Sequence, residues 1–227
     1  MTHVNPILNQ NAFRGRVDSG NEATPTWIAL ANTDWSQNVD EDFRVRFVIQ
    51  ETANSTNAAT VDLLIEYSLN SGAYAAVTAS TPIQFGTFTG ATDNDATTQQ
   101  LGAGTFVTGR LDSNGTVTSA DLQNSETEYE YCLFIDSAQV VNADTIDLRV
   151  YDGTTALDNY TQTPRITVVE AVNVALTVAN GGIQSTSIVT PNPALVETTD
   201  NLLADDEQST SNVTAERSIQ DIGLVAV

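Results

Sequence analysis

The sequence predicts an all-β protein, an antiparallel β-sandwich with extended arms at its N- and C-termini. Apolar residues recur at every second position in several short segments, as in strands whose successive side chains point to opposite faces. Turns rich in Gly, Asn and Asp separate these segments, and no 3.6-residue apolar stripe is sustained. We therefore expect a sandwich over residues 41–170, between an N-terminal arm and first strand (1–40) and a C-terminal extension (171–227).

Residues 1–40 read as an extended arm that ends in a strand, because Pro and Gly residues interrupt short apolar clusters at 7–8 and 27–30. The two tryptophans, Trp27 and Trp35, flank a polar turn that would bring both rings to one edge of the core. A different interpretation makes the rings an exposed platform for a sugar.

The segment Phe43–Gln50 is predicted to be a half-buried strand around which the sandwich is organised. Four apolar residues share one face of it: Phe43, Val45, Phe47 and Ile49. Arg44 and Arg46 point the other way. Since the chain is rich in carboxylates, we expect these arginines to pair with acidic residues of neighbouring strands across the sheet.

The same period of two predicts the following strands. A half-buried strand over 61–67 continues into a hairpin at residues 67–77, and residues 80–104 read as a long surface loop with one short strand near 83–88. The later strands are a short one at 105–111, a central one at 129–135 with apolar residues on both faces, one at 146–151, and one at 165–169 that follows Pro164.

The extension 171–227 contains no aromatic residue, so it lacks the bulky side chains with which a core is usually built. Its apolar pattern predicts one strand within 172–178 and a second within 183–189. Because such a segment finds little to pack on within itself, we expect it to pack on neighbouring subunits.

The net charge of −21 limits the classes of partner that the protein is expected to bind. All eight basic residues are arginines, against 29 acidic residues, so nucleic acids and anionic membrane surfaces are excluded as expected partners. Neither a signal peptide nor an apolar run long enough to span a bilayer is expected. The single cysteine, Cys132, allows no internal disulfide and is expected to be a buried, inert thiol.

No catalytic, cofactor-binding or metal-binding residue is predicted, and we expect a protein that is not an enzyme. The one histidine, His3, lies near the N-terminus and makes a catalytic triad implausible. Two acidic clusters, Asp93–Asp95 and Asp205–Glu207, are candidate calcium ligands, but neither has EF-hand spacing and both are interpreted as solvated loops. Nothing singles out a pair of glycosidase carboxylates.

Several stretches, taken in order, resemble a domain of virion structural proteins of tailed bacteriophages. They are Phe43–Phe47 leading to Gln50–Thr52, Tyr67–Tyr74, Thr98–Gly102 with Gly104–Phe106, and Asp144–Val150 followed by Leu157–Tyr160. The resemblance covers roughly residues 40–170. It implies an Ig-like or jelly-roll-like sandwich that serves as a component of a particle, with no catalytic residues to carry over.

The functional hypothesis is a structural protein of a tailed virus particle, foremost a capsid decoration (cement) protein, located in the virion after assembly in the host cytoplasm. Its expected partners are the major capsid protein or other virion proteins, together with further copies of itself in a homo-oligomer, for which a trimer is the natural arrangement at a threefold position. Alternatives are a tail or fibre subunit, a surface-layer or filament subunit, or a carbohydrate-binding or adhesive sandwich that uses Trp27, Trp35 or Tyr74.

Overall fold

The computed structural model describes residues 4–116 and 119–170 and the strands at 176–179 and 182–185; it contains strands and no helix within these residues, which confirms the all-β prediction. No helix among them is long and apolar enough to cross a membrane. The strands are β1 (Leu8–Val17), β2 (Trp35–Asn38), β3 (Phe43–Glu51), β4 (Ala59–Val61), β5 (Leu63–Leu69), β6 (Ala75–Ala76), β7 (Ile83–Phe85), β8 (Phe106–Val107), β9 (Leu111–Asp112), β10 (Ala120–Leu122), β11 (Glu126–Ile135), β12 (Thr145–Asp152), β13 (Thr155–Ala156), β14 (Asn159–Tyr160), β15 (Arg165–Val169), β16 (Leu176–Ala179) and β17 (Gly182–Ser185).

Two large sheets form the sandwich. The first has the order β14-β1-β3-β11-β7, with β8 and β9 also pairing with β11, and the second has the order β2-β15-β12-β5-β6, with β13 on β12. The long pairs are antiparallel, as predicted, whereas β14, β8, β9 and β2 add short parallel pairs. A small sheet, β10-β4, lies beside them. One hydrophobic cluster draws its residues from both large sheets.

The chain divides into two compact units, Met1–Glu170 and Ala171–Val227. In the second unit, β16 and β17 form an antiparallel hairpin with Leu176 opposite Ser185 and Ala179 opposite Gly182. The two strands predicted there are therefore present in part. The remainder of 171–227, including its expected packing on neighbouring subunits, lies outside the described residues.

The prediction of an arm over residues 1–40 is wrong for two segments. Strand β1 pairs with β3 from Leu8, opposite Glu51, to Val17, opposite Phe43, and β2 pairs with β15 in the second sheet. Polar residues and a glycine hide the period of β1. Gly15 packs directly against the Trp35 ring, since an added Cβ would lie 3.0 Å from it, closer than most real Cβ contacts.

Aromatic rings fill the core beside β1 and β3. The Trp35 ring lies 6.4 Å from the Phe13 ring and 6.3 Å from the Phe43 ring, centre to centre, and it is only 7% exposed. Phe47 and Tyr131 meet edge to face at 6.0 Å, and the Tyr131 hydroxyl donates to the Leu63 carbonyl of the opposite sheet at 3.1 Å. These contacts bury the largest apolar side chains between the sheets.

A buried glutamine joins the sheets at another edge. Gln10 of β1 is fully buried; its Oε1 accepts a hydrogen bond from the Val150 amide of β12 at 2.8 Å, and its Nε2 donates to the Gln162 carbonyl at 2.6 Å. The Tyr160 hydroxyl donates to the Val150 carbonyl at 2.8 Å. Beyond the end of β15, the backbone amide and carbonyl of Val150 at the edge of β12 are thus hydrogen-bonded to side chains. We call the contacts of Gln10 the Gln10 latch.

Strand β3 is buried on both faces rather than half-buried as predicted. Its inner face packs in the core, and its outer face carries two arginines with no exposed surface. The cover comes from the region predicted as a surface loop, of which β7 confirms the expected short strand. The rest of that loop lies over the outer face, and the most polar site of the molecule is found there.

Candidate functional site

Five charged side chains lie together on the outer face of the first sheet, each with 0% exposure. Arg16 comes from β1, Arg44 and Arg46 from β3, and Glu128 and Glu130 from β11. The strand period of two places the members from one strand on the same face. We call these five residues the arginine cluster.

Glu130 is the centre of the arginine cluster, because it contacts all three arginines. Its Oε2 accepts from Arg46 Nε at 2.8 Å, and its Oε1 accepts from Arg16 Nη1 at 2.9 Å and from Arg44 Nη1 at 3.4 Å. Arg46 Nη1 also donates to Glu128 Oε2 at 3.1 Å. Buried charges of this kind need paired, hydrogen-bonded partners.

Three short segments close over the cluster: residues 18–24, 87–92 and 98–104, which we call the cap. Two of its carboxylates reach the arginines: Asp18 Oδ1 accepts from Arg44 Nε at 2.6 Å and Glu22 Oε1 from Arg46 Nη2 at 2.8 Å. Cap carbonyls accept the remaining bonds, from Arg16 at Ser19 and Asn21, from Arg44 at Gly20 and Thr89, and from Arg46 at Thr98.

The glutamates of β11 hold the cap from below. Glu128 Oε1 accepts three successive backbone N–H groups, those of residues 100, 101 and 102, at 2.7–2.9 Å. Glu126 Oε1 accepts from the Gly104 amide at 2.7 Å. Gly102 is required at its position because an added Cβ would lie 2.0 Å from Glu126 Oε1. Three alternate glutamates of one strand therefore bind arginines and loop amides.

Electrostatic effects keep two key groups of this site charged. Burial alone would lower the pKa of Arg46, but Glu130, Glu22 and Glu128 outweigh it and raise the pKa. Burial would raise the pKa of Glu22, but the Thr98 amide and Arg46 outweigh it and lower the pKa. For Arg16, burial prevails over the attraction of Glu130 and lowers the pKa. The ion pairs of this site fasten loops to a sheet, and its charged groups bind one another and the backbone of the loops.

The expected pairing of Arg44 and Arg46 with carboxylates of a neighbouring strand is confirmed, with Glu130 of β11 as the shared partner. The sequence reasoning missed Arg16, the role of the glutamates and the cap. One available signal was that glutamates at 126, 128 and 130 have the same strand spacing as the arginines of β3.

The calcium candidate Asp93–Asp95 takes part in contacts between loops. Asp93 accepts hydrogen bonds from the Ser113 amide at 2.7 Å, from the Ser113 hydroxyl at 3.0 Å and from the Asn114 side chain at 2.9 Å. Among the described residues, no group of three or more His, Cys, Asp or Glu side chains is placed to hold a metal ion. The second candidate, Asp205–Glu207, and His3 lie outside the described residues.

The rings considered as a sugar platform are occupied or buried. Trp35 belongs to the core, which corrects its place in that hypothesis. The Arg14 guanidinium lies 4.6 Å from the centre of the Trp27 ring, and the Arg149 guanidinium lies 3.8 Å from that of Tyr74. Each of these two rings thus has a face covered by a cation.

Cys132 is buried, as predicted for the single thiol. Burial, together with Asp18 and Asp42, raises its pKa well above the ordinary value. A thiol with so little thiolate character is a poor nucleophile at neutral pH.

A second buried carboxylate, Glu51, organises the end of β3. It accepts backbone N–H groups from Ala53 at 2.7 Å, Asn124 at 2.8 Å and Ser55 at 3.2 Å. Burial would raise the pKa of Glu51, but these amides outweigh it and hold the pKa below the ordinary 4.5. A lowered folded-state pKa contributes stability above pH 4.5, which is lost as the pH falls through the folded value.

We predict that Glu51→Gln lowers the free energy of unfolding by about 1–2 kcal/mol at pH 7, since the amides lose a charged acceptor. The deficit should shrink below pH 4.5, where the carboxylate of the unfolded chain takes up its proton first, and should be lost once the pH has fallen through the lowered folded-state pKa. Urea denaturation from pH 7 to pH 3 measures this. Glu41→Gln is the control, because Glu41 is exposed and accepts only from the Asn38 side chain. A deficit that is constant with pH would contradict the prediction.

No protein-family model matches the chain, and no curated protein matches it. The class that the fold defines is an all-β sandwich whose outer polar face is covered by ion-paired loops.

Proposed function

We propose that this protein is a structural component of a tailed virus particle, a capsid decoration protein that stabilises the shell through contacts between subunits. One observation supports the proposal most: the largest set of buried charges in the described residues fastens loops onto the sandwich. The arginine cluster rigidifies an outer surface, which suits a mechanical role. That the particle is a tailed virus is inferred from the resemblance of residues 40–170 to virion proteins of tailed bacteriophages.

The division of the chain at Glu170 supports the mechanism. A sandwich that buries its own apolar faces would sit on the shell, while the second unit contacts adjacent subunits. Contacts of about 800 Å² per partner are enough for specific association, and repetition over a shell multiplies their effect.

The charge of the surface supports an outward position. Among the described residues, three arginines are buried together with five acidic residues (Glu51, Asp112, Glu126, Glu128 and Glu130), so most of the net charge of −21 lies outside the buried set. An acidic surface repels packaged nucleic acid. The partner on the shell would offer basic or uncharged groups to the second unit, where residues 171–227 carry seven acidic residues and one arginine.

Immunogold electron microscopy tests the proposal. Antibodies raised against the folded protein should label the outside of intact tailed particles in the source lysate, at many positions on the head. Labelling only at the tail would favour the fibre alternative, and labelling confined to cell debris or free protein would contradict a virion role. Antibodies preabsorbed with the purified protein are the control.

Removal of residues 171–227 tests the mechanism separately. Residues 1–170 should give a soluble sandwich with the thermal transition of the full chain, and this fragment should fail to bind particles stripped of the protein. The full chain should rebind to them. Equal rebinding of the fragment would show that the second unit is not the attachment segment.

A further inference from the structure

The cap is fastened to the sheet by charge and has little apolar packing. All its residues are exposed or half-buried, and Thr97, in the interval 93–97, is the buried residue of this region. Within the described residues, the hydrogen bonds that join the cap to the sheet run through a carboxylate or a guanidinium, apart from a local bond from the Ser19 amide to the Val17 carbonyl at 2.8 Å. The carboxylate contacts depend on ionisation below pH 7, whereas the guanidinium bonds to carbonyls and the core between the sheets do not.

The interval 93–97 behaves differently from the cap. Its backbone bonds to the segment 109–111, with Asn94 N donating to Leu111 O at 2.8 Å and Thr97 N to Gly109 O at 3.1 Å. The Thr97 hydroxyl also donates to the Glu128 carbonyl at 2.6 Å. Besides the contacts of the Asp93 carboxylate with Ser113 and Asn114, this interval is therefore anchored by backbone and hydroxyl groups that do not titrate, and it divides the two cap segments that follow β7.

The surface has a hollow at the seam of the cap. Its volume is about 340 Å³, and it is lined by Glu22, Ala23, Gly90 and Asp95 among others, whereas the five residues of the arginine cluster lie beneath it without exposed surface. Opening at this seam would return the five buried charges to water, which lowers the cost of their burial. The open state is thus relieved of a large desolvation penalty that the closed state has to offset by ion pairing.

We propose that the cap is an acid-labile lid: when its carboxylate contacts are neutralised, residues 18–24, 87–92 and 98–104 leave the sheet while the sandwich stays folded, and the arginine stripe of Arg16, Arg44 and Arg46 becomes accessible. The lid does not depend on the proposed virion role. It would convert a covered face of an acidic protein into an anion-attracting one.

The titratable groups around the lid differ in how their protonation affects its closure. Glu22 faces Arg46 and, through it, Glu128, and its lowered pKa favours closure above pH 4.5, which is lost as the pH falls further. Asp18 faces Arg44, with Asp42 and Cys132 nearby.

Asp42 accepts a hydrogen bond from the Thr87 amide, and its protonation affects closure in the opposite direction to that of Glu22. Burial, with a contribution from Asp18, raises its pKa above 3.8, so its protonation relieves repulsion in the closed state. From the sheet, the cap also meets Glu126, Glu130 and Arg16. Glu22, whose pKa is lowered, and Asp42, whose pKa is raised, thus have opposite effects on closure as the pH falls.

Hydrogen exchange followed by mass spectrometry on the full chain tests the lid. Between pH 7 and pH 3, with exchange times scaled to the intrinsic rate at each pH, the protection of cap amides should fall at least about tenfold, the factor expected for the loss of one hydrogen bond to a charged group. Amides of β5 and β12 and those of Asn94 and Thr97, which donate to residues 111 and 109, should keep their protection. If cap and sheets lose protection together, or if the cap keeps its protection at pH 3, the proposal is overturned.

Glu22→Gln tests it at constant pH. The variant should raise exchange in the cap about tenfold at pH 7 and leave β5 and β12 unchanged. Glu66→Gln is the matched control, because Glu66 pairs with Arg149 on the second sheet and does not contact the cap. Unchanged cap exchange in Glu22→Gln, or an equal increase in Glu66→Gln, would contradict the lid.

Discussion

Replacing Glu130 by glutamine is expected to lower the free energy of unfolding by about 3–5 kcal/mol, the usual cost of removing one partner from a buried ion pair. Glu130 contacts Arg16, Arg44 and Arg46. Glutamine keeps the shape of the side chain but offers no negative charge and one oxygen. Three guanidinium groups would then share the sheet with Glu128 as the one fully buried carboxylate in contact with them.

Guanidinium chloride would add to the ionic strength, so urea denaturation monitored by circular dichroism is the suitable measurement. Asp147→Asn is the matched control, because the same carboxylate-to-amide change there affects a pair with Arg165 that solvent reaches and screens. Its denaturation midpoint should change little. Equal midpoints for Glu130→Gln and the unmodified protein would show that the cluster is not a net stabiliser of the closed fold.

Replacing Gln10 by leucine is expected to cost about 2–5 kcal/mol. The Gln10 latch satisfies the Val150 amide and the Gln162 carbonyl, and leucine leaves both groups without a side-chain partner. Each unsatisfied buried group costs about 1–3 kcal/mol, and the apolar gain of leucine offsets only part of this. The loss should appear as a lower urea midpoint and as faster exchange of the Val150 amide.

Gln84→Leu is the control for the latch. Gln84 is half-buried and donates to Asp136 at the end of the first sheet, so its loss leaves no buried amide of the facing sheet unpaired. We expect a change of less than about 1 kcal/mol, as is usual for a substitution away from the core. A smaller effect at residue 10 than at residue 84 would contradict the role given to the latch.

Periodicity was enough to predict β3, β5, β11, β12 and β15, because each has apolar residues at every second position. It failed for β1, in which glutamine, arginine and glycine occupy positions that are buried for reasons other than hydrophobicity. Gln10 and Arg16 are fully buried by their hydrogen-bond partners, and Gly15 makes room for the ring of Trp35. None of these contacts can be predicted from the composition of the segment itself.

The candidate site was predicted in part. The position of Arg44 and Arg46 opposite the apolar face of β3 indicated pairing with acidic residues. That Glu130 would serve three arginines depends on the registers β1–β3 and β3–β11, which are decided by contacts far apart in the chain. Two segments of the cap, 87–92 and 98–104, were interpreted as a surface loop and the third, 18–24, as part of the N-terminal arm, because their residues are polar and polarity does not reveal that a loop covers charges.

By itself, therefore, the sequence determined the all-β class, the main antiparallel strands, the acidic surface and the buried place of Cys132, because period, composition and turn residues act locally. Only the tertiary structure decided that residues 8–17 complete a sheet, that Gln10 and Arg16 are buried, and that the outer face of β3 is closed. The physical reason is that burial of a charge or an amide depends on partners, and the fold brings those partners from distant parts of the chain.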